Sequence, residues 1–333
     1  MNDQQSGMFV YNNTFFDSDF MVQQNLWDSN SQNLEQDIQP VLSASDGSTH
    51  DTWLGGVHPN AQLEVTSGFH LHPDKFSRVI AYLINERQSD GAIYEQLMKA
   101  TGMSRTQIQA FIQYAVAMQL LIPRVLEPTP LSGQILNDDP FFDQAGTLWV
   151  LHYILASDPT LLIWNYMCNA VLPSISEISL SEAAEQFLPF AGHWSEGSIR
   201  KNVRKELNAF FANYTQEMFA PLRYLIDSDN KSYLSSRDVL LVPPCILLAA
   251  ALIHRDRFHP GASGVEIPML IHADNSPGRL MRQRETYIRQ ALDELHEAGL
   301  LTIESKANLD QVRFIRDFTW LDAVRGYYQT CEA

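Results

Sequence analysis

SPGRLMRQRETYIRQALDELHEAGLLTIESKANLDQVRFIRDFTWLDAVRGYY, residues 276–328, is the stretch whose reading decides the fold. Ile288, Leu292 and Leu295 recur at helical spacing, so the first half is predicted to be one helix with an apolar face. Gly299 marks its end. LLTIE and QVRFIRDF then alternate as the two strands of a β-hairpin, joined by a polar loop, and LDAVRGYY closes the unit as a helix. A helix followed by a Gly-Leu-Leu strand, a polar loop and a return strand is the order of a winged helix.

The same plan extends outward. In residues 180–214, LSEAAEQFL is a short helix and PFAGHW a turn. Ser195 or Ser198 can cap the helix SIRKNVRKELNAFFANY, whose Ile199, Val203, Leu207, Phe210 and Phe211 share one face. Residues 72–122 repeat the design. HPDKFSRVIAYLINERQ places Phe76, Val79, Ile80 and Leu83 together, and GAIYEQLMKATG aligns Ile93, Leu97 and Met98 before Gly102. Ser104 then caps a helix with Ile108, Phe111, Ile112 and Ala115 inward. LLIPRVLEPTPLSGQIL reads as a strand and a proline-marked wing. Residues 138–172 read as two packed helices broken at Asp158-Pro159, with Trp149, His152, Tyr153 and Trp164 in the core. The expected architecture is therefore mainly α: several helix-turn-helix and winged-helix units with small β-wings, behind a disordered acidic tail. Its divisions fall at 1–66 for the tail, 67–137 and 138–230 for the first two units, and 231–333 for a C-terminal winged-helix domain.

Charge supports that division. Of 39 acidic residues, ten precede Lys75, the first basic residue, and the remainder of the chain holds all 23 basic ones. The tail is rich in Asn, Gln, Ser and Asp, with no lasting period. Its aromatics Phe15, Phe16, Phe20, Trp27 and Trp53 offer a way to dock on a partner, and its charge a way to cover a basic face of its own body. The three cysteines, Cys168, Cys245 and Cys331, are scattered and odd in number, which fits a reducing, cytoplasmic setting. The opening residues lack a basic region and an apolar core, so no secretory signal is expected. The run from Leu240 to Ile253 is too short to span a bilayer and reads as a buried helix starting near Pro244.

Catalytic motifs are missing: no P-loop, no GxGxxG, no GxSxG elbow, no HExxH. His70 and His72, two apart, can share one strand face, but no neighbouring carboxylate or thiol motif completes a metal site, so they read as surface or packing residues. The same holds for His254 and His259. Asp138-Asp139 reads as a loop and helix cap. No enzyme activity, cofactor or metal is expected. The functional signal lies in basic clusters. Arg200, Lys201, Arg204 and Lys205 line one helical strip suited to backbone phosphates. Arg279, Arg282, Arg284 and Arg289 crowd the start of the long helix in residues 276–328, where the helix dipole also favours phosphate. Arg105, Gln107, Gln109 and Gln113 lie on the exposed side of their helix, and Arg and Gln can pair with guanine and adenine edges.

Four stretches together resemble a bacterial family, domain-of-unknown-function family number four thousand and seven. They are FHLHPDKF (69–76), the TPLSGQIL and DDPFFDQAGTLWVLHYIL block (129–155), SIRKNVRKELNAFFANY (198–214), and SPGRL (276–280) with the closing unit. Ser132 stands where that family has glycine after TPL. The resemblance implies helix-turn-helix architecture and gene neighbourhoods linked to anti-phage defence and DNA modification, and it assigns no catalytic residue. The expectation is a non-enzymatic, DNA-binding adaptor or regulator in such a system. Its expected partners are duplex DNA, proteins of a defence or modification complex and a second copy of the chain, with no membrane contact. The alternative is a protein–protein scaffold whose winged helices touch no DNA.

Overall fold

Apolar spacing fixes the first helices of the computed structural model, which describes residues 57–85, 93–192, 194–228, 231–236, 238–306 and 309–331. Helix α1 (Pro73–Asn85) buries Phe76, Val79, Ile80 and Leu83. Helix α2 (Ile93–Thr101) buries Leu97 but leaves Met98 exposed, and Gly102 ends it in the left-handed region, at φ +70°. Ser104 caps α3 (Arg105–Ala117) by accepting a bond from the Gln107 amide. The expected wing after α3 is corrected. Only an isolated bridge, Leu121 to Pro128, forms there. The TPLSGQIL stretch is instead helix α4 (Pro130–Asp138), because Thr129 caps it and Pro130 occupies its first turn.

The centre of the molecule is helical. Helix α5 (Ala145–Ala156) is buried nearly all round, and α6 (Leu162–Tyr166) continues through a π-helical turn, Met167–Val171. Asp158 caps the break between them by accepting from the Thr160 amide at 2.9 Å. Two sheets of three antiparallel strands follow. The first joins β1 (Glu177–Ser179), β2 (Leu225–Ser228) and β3 (Ser232–Ser235) in the order β1-β3-β2, with α7 (Leu180–Glu185) and α8 (Arg204–Thr215) between β1 and β2. Helix α9 (Pro244–Phe258) opens the next unit from Pro244, as expected for that apolar run.

The second sheet joins β4 (Gly264–Glu266), β5 (Leu301–Lys306) and β6 (Leu309–Phe314) in the order β4-β6-β5. Between β4 and β5 lie α10 (Ile267–His272), α11 (Pro277–Leu280) and α12 (Glu285–Glu297). Both units thus run short strand, helices, hairpin, and in both the return strand of the hairpin pairs with the short strand. Helix α13 (Trp320–Cys331) packs along α9.

The single helix expected from Ser276 onward is broken. Ser276 and Pro277 start the four-residue α11, Arg282 turns left-handed at φ +53°, and α12 begins only at Glu285. Residues 57–66, expected within the tail, are packed: Leu63 is buried, and the Gln62 amide donates to the Thr160 carbonyl at 2.8 Å. The rest of the expected tail, with its aromatics, lies outside the described residues. The described residues belong to one compact unit, whose apolar core is continuous. Trp149, His152, Tyr153 and Trp164 lie within it. Among the described residues no helix is long and apolar enough to cross a membrane.

Candidate functional site

The basic strip on α8 is built as its sequence implies. Ser195 caps a short helical turn, and a π-helical turn, Ile199–Val203, leads into α8. Ile199, Val203, Leu207, Phe210 and Phe211 are buried, which leaves Arg200, Lys201, Arg204 and Lys205 exposed. Arg200 pairs with Glu196 at 2.5 Å and Lys205 lies 3.7 Å from Glu64. Lys201 and Arg204 make no ion pair among the described residues. On α3, Arg105, Gln109 and Gln113 are exposed and Gln107 is half-buried. The Arg105 guanidinium stacks 5.2 Å from the Tyr94 ring.

The third cluster behaves differently. Arg279 donates from Nε to the Asn169 carbonyl at 2.7 Å and pairs with Asp274 at 3.4 Å. Arg282 donates to the Tyr224 carbonyl at 3.2 Å and lies over the Tyr224 ring. Arg289 bridges Glu285 and Asp310, each at 2.9 Å. Only Arg284, exposed at the start of α12, has no such tie among the described residues. Three of these arginines therefore hold the fold together, and two of them, Arg279 and Arg282, precede the long helix. Among the described residues no hydrogen bond or ion pair joins a member of one cluster to a member of another.

Sequence reading missed a buried polar seam. Glu206, on the inner side of α8, accepts from the Thr66 amide and hydroxyl, both at 2.9 Å, and from the Gly68 amide at 3.2 Å. Burial raises its pKa, and the bonds from Thr66 and Gly68 oppose that rise. Two turns along, Asn213 accepts from the Leu71 amide at 2.7 Å and donates to the Tyr114 hydroxyl, which in turn donates to the Phe69 carbonyl. The segment before α1 is thus stitched along α8. Gly68, at φ +78°, is needed there because a side chain would press on Lys205. At the seam's end the His70 and His72 rings face Glu217. That carboxylate lies about 145 positions away in sequence, so no local motif could announce it.

A second seam joins the two sheet-bearing units. The Asn169 side chain accepts from the Asn275 amide at 2.7 Å, and the Asn165 and Asn169 amides both donate to the Asn275 side-chain oxygen. His152 bridges the same units. Its Nε2 meets the Leu280 carbonyl at 2.9 Å, so Nδ1 is left to accept from the Tyr214 hydroxyl. Burial holds the His152 imidazole down to about 4. Cys168 is buried too, and burial pushes its thiol up to about 12, so it supplies no thiolate nucleophile.

A family model described as "Protein of unknown function (DUF4007)" matches residues 96–328. No curated protein sequence matches the chain significantly. Two solved structures, a magnesium ion-bound SspB crystal structure and an SspB crystal structure, are similar in fold. Each superposes with a TM-score of 0.66 over 82% of this chain and 90% of the other, at 16% identity, which is a likeness of fold alone.

Proposed function

The chain belongs to the DUF4007 family, and from that premise and the geometry above we propose that it is a DNA-binding, non-enzymatic adaptor or regulator built of helix-turn-helix and winged-helix units. It works among the proteins of a DNA-modification or defence system. The observation that carries this reading is the α8 strip, where Lys201 and Arg204 are exposed, adjacent and free of carboxylate partners among the described residues. Such groups displace counterions from a phosphate backbone. Helix α3 supplies a second face, in which Arg105, Gln109 and Gln113 are open to base edges. Arg284 is the one member of the third cluster left to reach a phosphate.

One observation favours the scaffold reading for the third unit. The exposed positions of α12 include Glu285, Asp293, Glu294 and Glu297, while Arg289 is neutralised. An acidic surface there repels DNA and suits a basic protein partner.

The test is duplex binding by the full chain as salt is raised. Affinity should fall linearly on logarithmic axes, and the slope should lessen by about 2 when Lys201 and Arg204 are both replaced by alanine. A full-length chain that binds no duplex at low salt would discard the DNA reading.

A further inference from the structure

We propose that His70, His72 and Glu217 form a binding site for a divalent transition-metal ion of the zinc type. The site goes beyond the DNA reading and uses none of the residues of the basic strip.

The backbone dictates the pairing of the histidines. Leu71 between them donates its amide to Asn213 Oδ1 at 2.7 Å and accepts from the Met218 amide at 3.2 Å, and its side chain is fully buried. Leu71 is buried while both neighbouring rings are part-exposed, so the two histidines stand on the outer side of this segment. The two rings stand 4.8 Å apart between centroids, at 66°. The bond that clamps Leu71 also fixes Met218, and so brings Glu217 under the rings. His70 Nδ1 lies 3.0 Å from Glu217 Oε1, and His72 Nδ1 lies 2.7 Å from Oε2. The three donor atoms are all within 4.8 Å of one another. The carboxylate is the floor of the site, 12% exposed, and the rings are its rim, 40% and 37% exposed.

The contact is poor as a plain ion pair. Among the described residues His70 Nδ1 is buried without a hydrogen-bond partner, although Glu217 Oε1 lies 3.0 Å away. A buried nitrogen left unpaired costs free energy. One divalent ion between them satisfies all three groups. Donors bound to one zinc at about 2.0–2.2 Å lie roughly 3 Å or a little more apart, so each nitrogen–carboxylate pair is already near that spacing. Two imidazoles and one carboxylate are a donor set for zinc, cobalt, nickel or ferrous iron, with coordination positions left open toward solvent. Magnesium demands oxygen ligands and near-octahedral geometry, so this set selects against it.

The test uses tag-free full-length protein stripped with a chelator, titrated with cobalt and with zinc at neutral pH. One ion per chain is expected, with cobalt absorption bands of nitrogen–oxygen coordination and a rise in Tm on adding zinc. His70→Gln, His72→Gln and Glu217→Gln should each weaken binding at least about tenfold. Far-ultraviolet circular dichroism identifies any variant that fails to fold. Absence of stoichiometric cobalt or zinc binding by the wild-type chain would overturn the site. So would undiminished binding in folded His72→Gln and Glu217→Gln, or magnesium displacing zinc at equal concentration. DNA affinity is read separately and should not change in these variants, so failure here leaves the DNA reading standing.

Discussion

The two sheet-bearing units, β1 to β3 and β4 to β6, share one strand order and use positive charge in opposite ways. In the first, Lys201 and Arg204 point into solvent from the helix that precedes the hairpin. In the second, Arg279, Arg282 and Arg289 are tied to a backbone carbonyl, an aromatic ring or a carboxylate. One architecture therefore presents a cationic helix in one copy and an acidic helix in the other. The order of elements says how the helix is held, and the side chains decide what it can meet. If the contrast is real, changes in the second unit should cost stability, and changes on the first unit's strip should cost none.

Acid should produce the largest effect, because two buried histidines are kept neutral: His152 bridges the units, and His254 meets the Asn275 carbonyl beside that joint. His152 and His254 are both held down to about 4, chiefly by burial, with His259 also lowering His254. Their folded values lie below the unfolded value, so the unfolded chain takes up these protons first. Stability is full above about pH 6.5 and is lost as pH falls toward 4, by up to about 3 kcal/mol for each histidine. Glu206 works against this, since a raised carboxyl pKa favours the folded state as pH falls. Denaturant midpoints measured from pH 7.5 to 4 should decline through that window, and a flat profile would refute the neutral joint.

Gly278→Ala comes next. A β-carbon there would sit 2.6 Å from the Ile271 carbonyl oxygen and 2.7 Å from Ile288 Cδ1, so the backbone of α10 must move. Urea unfolding should show a loss of about 3 kcal/mol. Arg279→Ala removes the donor to the Asn169 carbonyl at the same joint, for a loss of about 2 kcal/mol in the same measurement. Wild-type unfolding of Gly278→Ala would mean that α10 and α11 do not pack as tightly as described, and wild-type unfolding of Arg279→Ala would mean that this arginine is not structural.

Sequence pattern carried the long elements and lost the short ones. Helices α1, α3 and α12 and the β5-β6 hairpin were legible because their apolar periods persist over several turns or along both strands, and α9 because its apolar run starts at Pro244. Strands β1 and β4 have three residues each, too few for a period to show. Helix α4 was read as a wing because Pro128 and Pro130 suggest extended chain, whereas Thr129 and Pro130 are the start of a helix. The break at Arg282 carries no Gly or Pro signal, since packing imposes its left-handed backbone. At the sites, exposure of the α8 strip followed from the buried stripe of Ile199, Val203 and Leu207. What the arginines after Ser276 touch did not follow, because Asn169 and Tyr224 come from another unit. Glu206, Asn213 and Glu217 escaped for the same reason, since each acts on a segment about 140 residues earlier.

The smallest expected change in stability belongs to Lys201→Ala combined with Arg204→Ala. Both side chains are exposed, neither pairs with a carboxylate among the described residues, and alanine is a good helix former, so the unfolding free energy should move by no more than about 0.5 kcal/mol. Arg200→Ala is the built-in control, because its guanidinium is already shared with Glu196 at an exposed i, i+4 spacing worth little by itself. If α8 meets phosphate, the double variant should lose duplex affinity by more than tenfold at low salt, and Arg200→Ala should lose less. A loss in Arg200→Ala half that of the double variant on a logarithmic scale would mean that net charge alone is being sensed. A double variant that loses stability as well would place Lys201 and Arg204 in the same structural class as Arg279 and erase the contrast between the two units.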